Sequence, residues 1–253
     1  AGGNLSTTRV QMYGAGSQTA GLAFGGEAPP DTAETEEYDG SSWTAGGDLP
    51  TALKDHGAAG TQTAALSATG VNPGGYTAEG YHYDGSSWTA VANNNTARGN
   101  VAATGLQTAA IIWGGYASDA TQSLMETYDG STWSESTNHP TAKQNYYGAG
   151  TTTATLSAGG GPPFVNTTFE YDGSNWTSSG AMNTSRADGR GGGTQTAALA
   201  AGGYNPSHTV NSEAYNGSTW TEGPNLARGH TGGAAGQNSA PSAKCWVAGG
   251  NPS

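Results

Sequence analysis

The chain has 253 residues, 43 of them glycine, and a formal net charge of −11. Leu, Ile, Val and Phe together supply fewer than a tenth of it, which leans towards disorder, while seven Trp, twelve Tyr and only 11% charged residues lean the other way. The acidic balance argues against a nucleic-acid backbone as the main partner, no apolar run is long enough to predict membrane insertion, and the single cysteine, Cys245, excludes an internal disulfide framework.

Internal repeats settle the conflict over order. The first unit (residues 1–45) opens on Ala1-Gly2-Gly3-Asn4-Leu5, where no basic or apolar leader pattern is visible. It continues through Arg9, the landmark Gln18-Thr19-Ala20 and an apolar stretch ending in Gly25-Gly26, and closes on the hexapeptide Tyr38 to Trp43. The second unit (46–90) repeats the order with Lys54, Gln62, Thr69-Gly70 and Tyr83 to Trp88. The third (91–135) has Arg98, Gln107, Gly114-Gly115 and Tyr128 to Trp133. The fourth (136–179) has Lys143, Thr152, Gly159-Gly160 and Tyr171 to Trp176. The fifth (180–222) has Arg186, Gln195, Gly202-Gly203 and Tyr215 to Trp220. A partial sixth (223–253) has Arg228 and Gly249-Gly250 but no Tyr-to-Trp segment. The Tyr landmarks are 45, 45, 43 and 44 residues apart.

Each full unit predicts four short strands. Strand A runs from the basic residue to a Gly-rich turn, as in Arg98 to Gly105, and strand B is the apolar stretch, as in Thr108 to Trp113. Strand C ends at the hexapeptide Tyr, an Asp-Gly or Asn-Gly turn follows, and strand D starts at the Trp. Four strands per 40–50 residues at a regular period is the arithmetic of a single all-β propeller over residues 1–253.

A basic residue, an apolar strand ending in Gly-Gly, then Glu-x-Tyr-Asp and a downstream Trp together resemble the kelch repeat. The short, Thr/Ala/Gly-rich form, with "TQTAAL…GG…YDGSSWT", is similar to repeat proteins predicted in marine bacteriophages and bacteria. The resemblance covers nearly the whole chain and implies a kelch-like β-propeller fold. Small residues suit blades packed in a wedge, and one larger apolar residue recurs in strand B: Leu22, Leu66, Ile111, Leu156, Leu199 and Trp246. The strand-D Trp is expected to cover the neighbouring blade.

Six A–B pairs but five C–D pairs predict six blades, the sixth incomplete in this chain. Residues upstream of Ala1 in a longer natural chain, or another protomer or chain, would supply the missing strands. A seven-bladed ring missing one blade is the alternative.

Arg9, Lys54, Arg98, Lys143, Arg186 and Arg228 occupy one column, followed two places on by Gln11, His56, Asn100, Asn145, Asp188 and His230. If strand A is innermost, these residues ring a channel mouth. One reading is that the ring holds an anion, a water cluster or a partner's carboxylate. The other, which we favour, is that each cation ties blades together through carbonyls or a strand-C acid such as Glu36, Glu126 or Glu213. His56, His82, His139, His208 and His230 show no zinc spacing, and no calcium loop is present, so no metal or cofactor is expected. Cys245 aligns with Gly21, Ala65, Ala110, Thr155 and Ala198, a position for a small residue, and not with the crosslinked Cys of the copper radical oxidases.

The B–C and D–A loops share one face and differ in every unit. They carry Pro30, Tyr76, Tyr116, Phe164, Tyr204 and His208, the candidate binding residues. The expectation is therefore a non-enzymatic structural or attachment propeller, extracellular or on a virion surface, whose partners are structural proteins or a cell-surface glycan or receptor. A lectin-like glycan-binding module is the alternative, and a degenerate oxidase or lyase a third.

Overall fold

The computed structural model describes residues 2–236 and 246–252, the last two in their backbone only, so Cys245 lies outside the described residues. Among them are strands and no helix. Five antiparallel four-stranded sheets follow one another as blades, each with its strands in the chain order A-B-C-D. Blade 1 comprises Tyr13–Ser17, Ala20–Phe24, Thr35–Tyr38 and Trp43–Ala45. Blade 2 comprises Gly57–Thr61, Ala64–Asn72, Gly75–Tyr83 and Trp88–Val91. Blade 3 comprises Ala102–Leu106, Ala109–Trp113, Met125–Tyr128 and Trp133–Glu135. Blade 4 comprises Tyr147–Thr151, Ala154–Ala158, Thr168–Tyr171 and Trp176–Ser179. Blade 5 comprises Arg190–Thr194, Ala197–Ala201, Ser212–Tyr215 and Trp220–Glu222.

Among the described residues the complete blades thus number five. In the sixth place stand two short pairings, His230–Thr231 with Asn251–Pro252 and Ala234–Ala235 with Val247–Ala248. These correspond to an A and a B strand, and Ala234–Ala235 packs between the A strands of blades 1 and 5. Strand A also starts later than the basic residue: in blade 3 it begins at Ala102, because Gly99 bridges instead to Tyr116 in the B–C loop.

Two belts of backbone hydrogen bonds tie the blades into a ring. In the outer belt an N–H just past strand B, or inside the longer strand B of blade 2, donates to the next blade. Gly26 reaches Leu53 O (2.8 Å), Gly70 Arg98 O (2.8 Å), Gly115 Lys143 O (2.9 Å) and Gly160 Arg186 O (3.0 Å). Gly203 then reaches His230 O (2.9 Å), and Gly250 closes the circle on Arg9 O (3.3 Å). The inner belt runs Asp55 N–H to Gln11 O, Asn100 to Asp55, Asn145 to Asn100, Asp188 to Asn145 and Gly232 to Asp188, at 2.8–3.2 Å. All six inner residues have left-handed φ, between 52° and 64°. Asn, Asp and Gly tolerate that region best, which is the physical reason for the polar column.

The sheets pack through paired large and small residues. Leu22, Leu66, Ile111 and Leu156 are buried at 0–1% exposure, each against the following blade. Trp113 crosses onto Gly148, where a Cβ would strike the indole. Trp246, larger than its counterparts, is accommodated by Gly14 and Gly21. The strand-D Trp packs against its own blade's Tyr at 4.8–5.1 Å, stacked in Tyr128–Trp133 and tilted in Tyr215–Trp220. It also covers the preceding blade, where Trp88 and Trp220 donate Nε1–H to Thr35 and Thr168 Oγ1 at 3.0 and 2.9 Å.

The Gln of the repeat landmark is a clamp between blades. Gln62 Nε2 donates to Gly21 O and Tyr38 O, Gln107 to Ala65 O and Tyr83 O, and Gln195 to Thr155 O and Tyr171 O. In the C–D turns the aspartate caps its own loop: Asp39 Oδ1 accepts from the N–H groups of Ser42 and Ser41, both at 2.8 Å. Those bonds, with the Ser41 hydroxyl, hold the carboxyl down to about 2.

Candidate binding face

The basic column splits in register and in environment. Blade alignment places Leu53, not Lys54, opposite Arg9, Arg98, Lys143 and Arg186, because Leu53 O accepts the belt bond its counterparts accept. His230, not Arg228, takes the sixth position by the same bond, and Arg228 is exposed. The polar column is correspondingly Gln11, Asp55, Asn100, Asn145, Asp188 and Gly232, so His56 falls out of it. His56 lies buried against Phe24 (5.0 Å) and Tyr13 (5.1 Å). Burial, then the positive charge of Arg190, pushes it down to about 3, so it is a neutral core residue.

Arg9, Arg98 and Arg186 do not line an open mouth, since all three side chains are fully buried. Arg9 pairs with Glu36 at 2.9 Å, Arg98 with Glu126, and Arg186 with Glu213 at 3.1 Å, each within its own blade. The second oxygen of each carboxylate accepts a backbone N–H, from Ser6 (2.8 Å), Asn95 (2.7 Å) and Asn183 (2.7 Å). Blades 2 and 4 carry no such acid: Tyr81 and Phe169 stand at the strand-C position, and Pro50 and Pro140 replace the N–H donor. Lys143, left without a carboxylate, reaches Pro162 O at 3.4 Å. Lys54 crosses to the blade 1 loop and bridges Glu27 and Asp31, both at 3.0 Å. Partial burial works against its charge, but those two bonds outweigh it and raise the pKa.

The axial mouth is therefore ringed by acid and amide groups. Asp55 and Asp188 lie three blades apart on the inner belt, and Gln11 Nε2 donates to Asp55 Oδ2 at 3.1 Å. Burial and then the charge of Asp188 raise Asp55 to about 7, and burial raises Asp188. The sequence reading missed Arg190, which closes the ring. Its guanidinium bonds Gly233 O and Met12 O (3.3 Å) and lies 4.4 Å from the centre of the Tyr13 ring, spanning blades 5, 6 and 1. Its signal was that it stands outside the repeat pattern.

Five of the six loop residues singled out from sequence gather in two aromatic clusters on this face. Tyr76 and Tyr116 lie 6.2 Å apart, and Tyr204 lies 5.7 Å from both Phe164 and His208. Tyr76 (43%) and Tyr204 (37%) are exposed. Each cluster stands beside one mouth aspartate. Tyr76 and Asp55 both reach over Gly99, and Tyr204 O accepts from the N–H of Ala187, next to Asp188, at 3.2 Å. Pro30 is exposed on the blade 1 loop, apart from both clusters. Among the described residues no group of three His, Cys, Asp or Glu is placed to hold a metal ion.

No protein family matches this chain, and no curated protein matches it either. Among solved structures it is similar to that of YjhT, also a propeller, with a TM-score of 0.74 over 92% of this chain and 88% of that one. At 14% identity the likeness carries the fold, a β-propeller of small antiparallel sheets.

Proposed function

We propose that this chain is a non-enzymatic attachment propeller of kelch-like type, displayed on a virion surface or outside a cell, which meets its partner through the B–C face. The observation that carries this reading is the pair of aromatic clusters, Tyr76–Tyr116 and Phe164–Tyr204–His208, exposed at Tyr76 and Tyr204 and each set beside a mouth aspartate. Aromatic anchors on loops held by a stiff scaffold are the usual substance of a binding surface. The residues of the two backbone belts close the ring, which leaves the variable loops to carry specificity.

A lectin-like role is the second reading. It is favoured by flat, exposed tyrosines next to carboxylate and amide groups, which together stack on a sugar ring and accept its hydroxyls. Both readings are tested by titrating the protein against panels of immobilised glycans and intact bacterial cells. The double variant Tyr76→Ala/Tyr204→Ala is expected to lose roughly tenfold or more in affinity. Competition by free oligosaccharide selects the lectin, and its absence selects a protein partner. Cell binding untouched by the double variant would remove the B–C face from consideration.

A further inference from the structure

Blades 2 and 3 hold their B–C loops as paired hairpins, and a cleft lies between them. Strands B and C of blade 2 continue into one hairpin, with Val71 opposite Tyr76 and Asn72 opposite Gly75. In blade 3, Tyr116–Ala117 pairs with Ala120–Thr121. Both hairpins are tied down at the base. Lys54 and Val71 exchange backbone hydrogen bonds at 2.9 and 2.8 Å, and Gly99 and Tyr116 exchange them at 3.0 and 2.8 Å. Tyr76 and Tyr116 therefore stand on fixed backbone, which lowers the entropy cost of ordering them around a ligand.

The cleft has a glycine floor and acidic walls. Tyr76 and Asp55 converge on Gly99, where an added Cβ would lie 3.4 Å from the Tyr76 ring and 3.5 Å from Asp55 Cβ. Asp55 is only 8% exposed, and Gln11 Nε2 bonds one of its oxygens, leaving the other without a partner among the described residues. Asp119 is exposed at the tip of the blade 3 hairpin. Burial, then Tyr116, Asp55 and Asp119, pushes the Tyr76 hydroxyl up, so both carboxylates bear on this ring. The Lys and Arg of blades 2 and 3 are engaged elsewhere: Arg98 is buried with Glu126, and Lys54 bridges Glu27 and Asp31.

An aromatic face beside carboxylates attracts a cation, and two features favour a guanidinium over an ammonium. The two rings meet at 50° with centroids 6.2 Å apart. A layer between them would need about 7 Å, so a flat group lying on the exposed side of Tyr76, its edge turned to the carboxylates, fits best. The ring also uses this pairing internally, where Arg190 lies 4.4 Å over Tyr13 and Arg186 5.4 Å over Tyr147.

We propose that this cleft takes an arginine side chain presented by a protein partner, its plane on Tyr76 and its N–H groups directed to Asp55 and Asp119. This rests on the reading of the B–C face as the partner-binding surface, and it makes that partner a polypeptide. The described arginines of the chain itself do not fill the cleft. Arg9, Arg98, Arg186 and Arg190 are buried in bonds of their own, and Arg228 precedes the sixth A strand, on the other side of the ring.

The test uses the whole chain and N-acetyl-arginine amide. The backbone amide shifts of Gly99 and Asp55, followed by NMR, should saturate in the low-millimolar range. N-acetyl-lysine amide should bind several-fold more weakly. N-acetyl-citrulline amide, which keeps the plane without the charge, should bind at least roughly tenfold more weakly. Tyr76→Ala should weaken arginine binding roughly fivefold and Asp55→Asn roughly tenfold, with circular dichroism checking that both variants are folded. Tyr204→Ala, in the other cluster, should leave it unchanged. No saturable binding, citrulline amide as tight as arginine amide, or Tyr204→Ala as damaging as Tyr76→Ala would overturn the proposal. Saturating arginine amide should also displace the protein from the cells it binds. Cell binding that needs Tyr76 but ignores the amide overturns the arginine site alone, whereas cell binding untouched by Tyr76→Ala/Tyr204→Ala overturns the reading of the face and the arginine site with it.

Discussion

Exchanging the buried ion pair of blade 3 for the uncharged set that blade 2 uses in the same place tests the packing logic of the ring. Glu126→Gln leaves the Arg98 guanidinium in a fully buried site without its counter-charge. Breaking a buried pair from one side costs about 3–5 kcal/mol, which in a chain of this size lowers the unfolding midpoint by roughly 10 °C. Blade 2 fills the equivalent sites with Pro50, Leu53 and Tyr81, and the Tyr81 hydroxyl lies 3.5 Å from Thr51 Oγ1. Blade 3 already has Thr96 where blade 2 has Thr51. The triple variant Asn95→Pro/Arg98→Leu/Glu126→Tyr therefore removes charge, counter-charge and orphaned N–H together. It recovers most of the loss, to within about 1–2 kcal/mol of the parent, because a matched apolar replacement of a buried pair is near neutral. Arg98 Nη2 has no hydrogen-bond partner even in the parent, so the pair is imperfectly satisfied. Urea unfolding followed by tryptophan fluorescence gives the three stabilities. A Glu126→Gln cost below 1 kcal/mol, or a triple variant no more stable than the single, would refute the reasoning.

Two further outcomes follow from the same geometry. Thr152 stands where three other blades carry a clamping Gln, so Thr152→Gln should gain two bonds to the carbonyls of Ala110 and Tyr128 and raise stability by about 1 kcal/mol, measured by denaturant midpoint. Asp55, raised to about 7 by burial and by Asp188, holds a proton in the folded state that the unfolded chain releases near its ordinary carboxylate value. Its contribution is therefore fully present below about pH 4 and is lost as pH rises through about 7. Asp55→Asn keeps a residue suited to left-handed φ, as Asn100 and Asn145 are. It should stabilise the protein by on the order of 3 kcal/mol at pH 8 and by little at pH 4. Equal stabilisation at both pH values would show that the gain is not electrostatic.

The repeat landmarks were legible because they are local. Asp-Gly turns, glycine pairs and the Tyr-to-Trp spacing act within one blade, and they marked its strands and the missing outer pair of the sixth. The alternation of blades was also written in the chain, as Ser6, Asn95 and Asn183 accompanying Glu36, Glu126 and Glu213 while Pro50 and Pro140 accompany Tyr81 and Phe169. It went unread because donor and acceptor are some 30 residues apart and meet only once strand C has folded back.

Register around the axis was decided by tertiary structure alone. Lys54 and Arg228 look like members of the basic column by spacing, yet the belt bonds assign that column to Leu53 and His230. A one-residue shift before a strand leaves composition unchanged and moves a side chain from core to surface. The same belt turned an expected basic mouth into one edged by Asp55 and Asp188, with the arginines buried behind it. Sequence determined that a ring of small blades would form, since each blade's turns and glycines are its own. Which side chains face the axis depended on how neighbouring blades share backbone hydrogen bonds, a condition that exists only when the ring is closed.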